Sequence, residues 1–218
     1  MVPEIMAGIE RTAEGAPVQV IPAMSRRISF EEFMERADED TWAEWVDGEA
    51  VLMPPVTSEH QNLLGFLACL LSTFAEEHGM GKVFLSGYMM KTGPQLPGRL
   101  PDILFVAKEH RDRLQPDHLD GAADLVVEII SPESRARDRG DKFYEYEGGV
   151  AEYWLLDPSR RQAEFYQLDP NGIYQLVPAG ADGSYRSRVL DGLWLRVAWL
   201  WQQPLPPLLD VLRQWELI

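Results

Sequence analysis

An α/β domain built on a mixed central β-sheet is the fold class that this 218-residue chain predicts. Three observations lead to it. Hydrophobic residues make up 45% of the chain, with seven tryptophans among its aromatics, which is enough for a substantial core. A long helix with a broad apolar face precedes a succession of short apolar strands. Those strands do not alternate with helices in a regular βαβ series, so a mixed sheet is expected in place of a purely parallel one.

Taken in order, residues 1–27 lack hydrophobic periodicity and read as an extended or mobile arm, leaving 28–218 as one domain. Ser29 and Glu32 form a capping box for a helix over about 29–39, with Ile28 and Phe33 at the staple positions. AEWVDGEAVLM reads as a hairpin turning at Asp47-Gly48, where positive φ is needed. A second box, Ser58 with Gln61, opens a buried helix carrying Leu63, Leu67, Leu70, Leu71 and Phe74 and closing at Gly79. The strands that follow are KVFLSGYMMKT, PDILFVA, DLVVEII, AEYWLLD and QAEFYQL, with a polar helix over about 138–148 after the third. Residues 93–100 and 108–121 read as connectors. Asp169-Pro170-Asn171-Gly172 turns the chain into IYQLVPA, and a short strand near Val189 and two short helices around 197–201 and 208–215 end it.

Composition excludes several classes. No apolar run approaches the roughly 18–20 residues that span a bilayer, and the N-terminus is acidic where a signal peptide is basic and then apolar. A cytoplasmic protein without membrane partners is expected. Cys69 is the single cysteine, which excludes an intrachain disulfide or a thiolate zinc cluster, and within NLLGFLACLL it reads as a small buried residue. The four histidines show no zinc-ligand spacing. A net charge of −15 opposes non-specific attachment to nucleic acid, although Arg135, Arg137, Arg139 and Lys142 gather positive charge in one short segment, the basis for a local basic rim in which Arg99 could share. The tryptophans, set in strands and apolar helices, read as core or dimer packing in preference to base stacking.

The chemistry centres on Glu128, which interrupts the apolar strand DLVVEII. A carboxylate there must be paired, protonated or bound to a cation. Asp102 poses the same problem just inside PDILFVA, whose start Pro101 marks. Two neighbouring strands would bring the two acids together, and like charges in one pocket call for a divalent cation with oxygen ligands, Mg²⁺ or Mn²⁺. Such an ion suits hydrolysis of a phosphodiester. The competing reading is a structural ion pair with a nearby Lys or Arg. Lys142 could face the carboxylates to hold a water or stabilise charge on phosphorus oxygens, or could form a surface pair with Asp138 four residues upstream. On the first alternative, Lys142→Ala should abolish activity and leave stability nearly unchanged. His60, in the first turn of its helix, is a candidate ligand or base, where the helix dipole favours a neutral ring. Glu49, after the tight turn, is a tentative outer metal ligand.

LVVEIISPESRARDRGDKFYEYEGGVAEYWLLDP, together with WVDGEAVLMPPVTSEHQ and PDILFV, resembles the three sequence blocks of the Uma-two family, restriction endonuclease-like proteins of the PD-(D/E)xK nuclease superfamily. The resemblance spans roughly residues 28–200. It implies a restriction endonuclease-like core, with helices flanking a central mixed sheet, and a metal-dependent endonuclease acting on DNA. It makes Asp102 the motif aspartate and Glu128 the second acid. Ile130 stands where the motif lysine usually does, and Lys142 on the following helix is expected to replace it. The backbone carbonyl of Ile129 is a further expected metal ligand, and Arg135, Arg137 and Arg139 are expected to contact nucleic acid. A homodimer would supply two sites for cutting both strands. The alternative is an inactive nuclease-fold protein serving as an interaction module for nucleic acid or protein.

Overall fold

The structure, a computed structural model, describes residues 27–38, 41–131 and 134–218 together with the backbone of 9–11 and 17–19. Most of the expected N-terminal arm lies outside the described residues. Within it, Ile9–Arg11 (β1) pairs antiparallel with Pro17–Gln19 (β2). Ser29 caps α1 (Phe30–Arg36) by accepting from the Glu32 amide at 3.1 Å. The Glu32 side chain pairs with Arg36 one turn on, so only half of the capping box forms. Ile28 and Phe33 are buried together with Phe30, Met89 and Leu100.

β3 (Ala43–Val46) and β4 (Glu49–Leu52) make the expected hairpin, with Asp47 at φ 51° and Gly48 at φ 87°. The long helix α2 (Ser58–Glu77) is capped by Thr57, which accepts from the His60 amide at 3.2 Å. Two adjacent hydroxyl residues offer equivalent caps, and Ser58 instead becomes the first helical residue. Cys69 lies on the outer face of α2 and is exposed, contrary to expectation. KVFLSGYMMKT is broken by a turn at Gly87 (φ 104°) into β5 (Gly81–Leu85) and β6 (Met89–Lys91), which join different sheets. The stretches expected as connectors hold β7 (Gly98–Arg99) and, after β8 (Ile103–Ala107), a 3₁₀ turn at Lys108–Arg113 and β9 (His118–Asp120).

β10 (Leu125–Ile129) leads to two helices, not one. α3 (Arg135–Arg139) and α4 (Asp141–Glu147) are separated at Gly140, where a Cβ would meet the Ala136 carbonyl oxygen at 2.7 Å. β11 (Glu152–Asp157), β12 (Gln162–Leu168) and β13 (Tyr174–Leu176) follow. Val189 lies not in a strand but in the connection between β14 (Ser184–Arg186) and β15 (Trp194–Arg196). A 3₁₀ turn at Val197–Trp201 and α5 (Leu208–Gln214) complete the described chain.

The central sheet has six strands in the order β13-β12-β11-β10-β8-β5, with β10 and β11 parallel and the other neighbours antiparallel. Side chains alternate cleanly across it. Leu125, Val127, Ile129, Trp154 and Leu156 meet α2 and the C-terminal segment on one face. Val126, Tyr153 and Leu155 meet Tyr146 of α4, Met90 and Leu119 on the other. The last two belong to a second sheet, β4-β3-β7-β6-β9. Among the described residues no helix is long and apolar enough to cross a membrane.

Candidate active site

Strand register brings the two sequence-predicted acids together. β8 and β10 pair with Val127 opposite Ile103, and the next step of the ladder sets Glu128 opposite Asp102. Both line a small cleft of about 40 Å³, which also takes in His60, Ile129, Arg137, Asp138 and Lys142. That space suits a few water-sized groups.

Asp102 is held through one oxygen. Its Oδ2 accepts from the Ile129 amide at 2.7 Å and lies 3.1 Å from His60 Nε2. No Lys or Arg pairs with it among the described residues, which removes the structural ion pair as an account of this acid. His60 is buried, and its Nδ1 has no hydrogen-bond partner among the described residues.

Glu128 is held through one oxygen as well. Oε1 accepts from Lys142 Nζ at 2.7 Å and from the Tyr146 hydroxyl at 2.9 Å. Lys142 and Tyr146 lie four apart on α4 and so share the face turned to the sheet. Asp102 Oδ1 and Glu128 Oε2 have no hydrogen-bond partner among the described residues, and neither is sealed from solvent.

Lys142 points inward and is 1% exposed. Besides Glu128 it meets Glu44 Oε1 at 3.2 Å and Asp138 Oδ1 at 3.5 Å. Its expected surface pair with Asp138 therefore exists, but as part of a buried cluster. Burial works against the ammonium, yet Glu128, Glu44 and Asp138 outweigh it and hold its pKa above that of an ordinary lysine. Burial above all, with the charges of Asp138 and Asp102, pushes the Glu128 carboxyl up to about 8 against the pull of Lys142.

Glu44, which the sequence reading did not single out, completes the cluster. β3 and β7 pair with Trp45 opposite Gly98, so the next step of the ladder sets Glu44 opposite Arg99. Arg99 Nη1 donates to Glu44 at 2.8 Å, while its Nε and Nη2 grip Glu145 of α4 at 2.7 and 2.6 Å. Burial tends to raise the Glu44 carboxyl, but Lys142, Arg99 and Arg137 together hold it below the ordinary range. The signal was available: Glu44 is a charged residue in a short, otherwise apolar strand, as Glu128 is. Glu49 occupies the turn end of the same hairpin, where it is exposed and does not line the cleft.

The expected basic rim takes a different form. Arg135 pairs with Asp157 at 3.0 Å, Arg139 pairs with Glu164, and Arg99 is buried. Arg137 alone of these lines the cleft, with its Nε 3.9 Å from Glu44 and 4.0 Å from Asp138. Its terminal nitrogens make no hydrogen bond among the described residues and reach solvent.

With every acid ionised, five carboxylates (Glu44, Asp102, Glu128, Asp138 and Glu145) stand against three cations (Arg99, Arg137 and Lys142). The excess is two negative charges, and Asp102 and Glu128 each keep one oxygen free of hydrogen bonds among the described residues. Among the described residues no three His, Cys, Asp or Glu side chains are grouped to hold a metal ion. Two carboxylate oxygens would therefore need water or a carbonyl, such as that of Ile129, to complete a shell, which is the habit of Mg²⁺.

The comparisons agree with this architecture. No curated protein matches the chain. A solved structure from Anabaena variabilis ATCC 29413, described as "a putative nuclease belonging to DUF820", superposes with a TM-score of 0.65 at 17% identity, covering 79% of this chain and 97% of that one. The likeness extends to the fold, a restriction endonuclease-like core. The model of the Uma2 family, described as "Putative restriction endonuclease", matches residues 30–198, and the chain belongs to that family.

Proposed function

We propose that the chain is a magnesium-dependent endonuclease that hydrolyses phosphodiester bonds in DNA in the cytoplasm. One observation supports this reading: a buried, lysine-bonded Glu128 and a register-matched Asp102 line the same cleft, and each keeps one oxygen without a hydrogen-bond partner among the described residues. A bound Mg²⁺ would supply a Lewis acid that activates water and neutralises a phosphate oxygen. Asp102 and Glu128 would hold it, aided by the Ile129 carbonyl. The Ile129 amide and His60 fix Asp102 Oδ2, so His60 serves to position that carboxylate. Lys142, locked between Glu128 and Glu44, orients the attacking water and steadies charge developing on the phosphorus oxygens. Arg137, whose terminal nitrogens are open, receives a phosphate oxygen of the substrate.

Incubating the protein with DNA and Mg²⁺ tests the proposal. Cleavage should stop on chelation and in Asp102→Asn and Glu128→Gln. Cleavage that survives both substitutions would move the chemistry elsewhere, and a folded protein without cleavage of any DNA would favour the inactive-module alternative.

A further inference from the structure

Trp42 departs from the other tryptophans. Trp154 and Trp199 are buried, whereas Trp42 is 42% exposed and lines the mouth of the candidate cleft. Exposed Val56 lines the same mouth, beside Met53 and Pro54. Exposed Leu85 immediately precedes Ser86, another lining residue, and a Cβ on neighbouring Gly87 would lie 3.7 Å from the Trp42 ring. The lining is therefore in part apolar and aromatic. Its open cationic residue among the described residues is Arg137, because Arg135, Arg139 and Arg99 are committed to Asp157, Glu164, and Glu44 with Glu145.

This distribution is a poor match for a duplex. Attraction of double-stranded DNA depends on neutralising many closely spaced phosphates, and the chain has a net charge of −15 with, among the described residues, one open cation at the cleft. An unpaired strand has lower charge density and exposes base faces, which bind aromatic platforms largely irrespective of sequence. The cleft, at about 40 Å³, is small beside a nucleotide, which leaves a base next to the reacting phosphate to meet the exposed lining residues such as Trp42. Building on the nuclease reading of this cleft, we infer that the substrate is an unpaired polynucleotide segment, with the base beside the reacting phosphate stacked on Trp42. A single strand needs one site per cut, so the homodimer expected for double-strand cleavage is not required. Burial of the apolar rim in a second copy is the competing use.

Fluorescence anisotropy of a labelled oligo(dT), alone or annealed to oligo(dA), tests the inference, with Ca²⁺ replacing Mg²⁺ as the oxygen-seeking cation. The single strand should bind at least about ten-fold tighter than the duplex. Trp42→Ala should weaken single-strand binding about ten-fold, while Trp42→Phe stays within about three-fold of the parent. Both variants should keep the parent's melting temperature and its response to Mg²⁺, since the ring is half exposed and bonds to neither carboxylate among the described residues. Equal or tighter duplex binding, no measurable single-strand binding, or an unaffected Trp42→Ala would overturn the inference. So would a dimer that Trp42→Ala dissociates without changing DNA binding. If single-strand binding fails while Mg²⁺ still raises the melting temperature of the parent, the stacking inference falls and the metal reading stands. If Mg²⁺ has no effect while Trp42-dependent binding persists, the metal reading falls alone.

Discussion

Two buried glutamates on neighbouring strands show how differently one fold can treat the same side chain. Glu152 opens β11 and Glu128 lies near the end of β10, and both are almost fully buried. Glu152 is saturated: Oε1 accepts from Trp154 Nε1 at 2.6 Å and the Tyr185 hydroxyl at 2.8 Å. Its Oε2 accepts from Ser187 Oγ at 3.0 Å and from the amides of Arg188 and Val189 at 2.8 and 3.0 Å. Five donors, none of them charged, make this carboxylate a staple between the central sheet and the β14–β15 lobe. Glu128 has one satisfied oxygen and one open oxygen, with a lysine on the first and the like charges of Asp138 and Asp102 acting on the group. The first arrangement is complete in itself; the second has room for a positive ligand. Burial of an acid does not mark a site; incomplete satisfaction of a buried acid does.

The largest effect should come from the saturated acid. Glu152→Ala orphans several donors at once, each costing about 1–3 kcal/mol, so destabilisation of at least about 5 kcal/mol is expected in denaturant melts. Its Mg²⁺ response should be unchanged in whatever fraction remains folded. Next is Lys142→Ala, about 3–5 kcal/mol destabilising, because it leaves Glu128, Glu44 and Asp138 buried without their shared cation. This reverses the expectation of an almost neutral substitution, which set the ammonium beside the carboxylates without counting the charges that its removal leaves buried and unpaired.

A pH series tests Glu128 next. Glu128 rises from an ordinary 4.5 to about 8 in the folded protein. Between those values the folded state keeps a proton that the unfolded state has released, so its contribution to stability is full below 4.5 and is lost as pH rises toward 8. In metal-free protein, Glu128→Gln should flatten that part of the stability profile measured against the parent. The smallest effect belongs to Asp102→Asn. The amide oxygen can still accept from the Ile129 amide, so metal-free stability should change by less than about 1 kcal/mol, and relief of repulsion between the two acids could make the change stabilising.

A charged residue inside an apolar strand made Glu128 legible in the sequence, and Asp102, expected just inside PDILFVA, stands directly before β8, where its carboxylate faces the same constraint. The helical spacing of Lys142 and Tyr146 was legible for the same reason: one face, one partner. Glu44 was overlooked because AEWV is too short for its apolar character to stand out, and because the tight turn drew attention to Glu49 instead. The arginine segment misled for a physical reason. Arg135, Arg139 and Arg99 meet Asp157, Glu164 and Glu145, which lie between 22 and 46 residues away in sequence, and no local pattern announces such pairs. Gly87 and Gly140 divided elements that periodicity ran together, since a glycine inside an apolar or polar run can mark either tolerance or a break.

The most direct measurement is a set of thermal melts with and without Mg²⁺ on the parent, Asp102→Asn and Glu128→Gln. If the open oxygens of Asp102 and Glu128 share a divalent cation, Mg²⁺ at a hundred times its dissociation constant should stabilise the parent by about 2.7 kcal/mol. Either substitution should remove most of that gain. Equal melting curves for the parent with and without the ion, or an equal gain in all three proteins, would contradict a metal held between these two carboxylates.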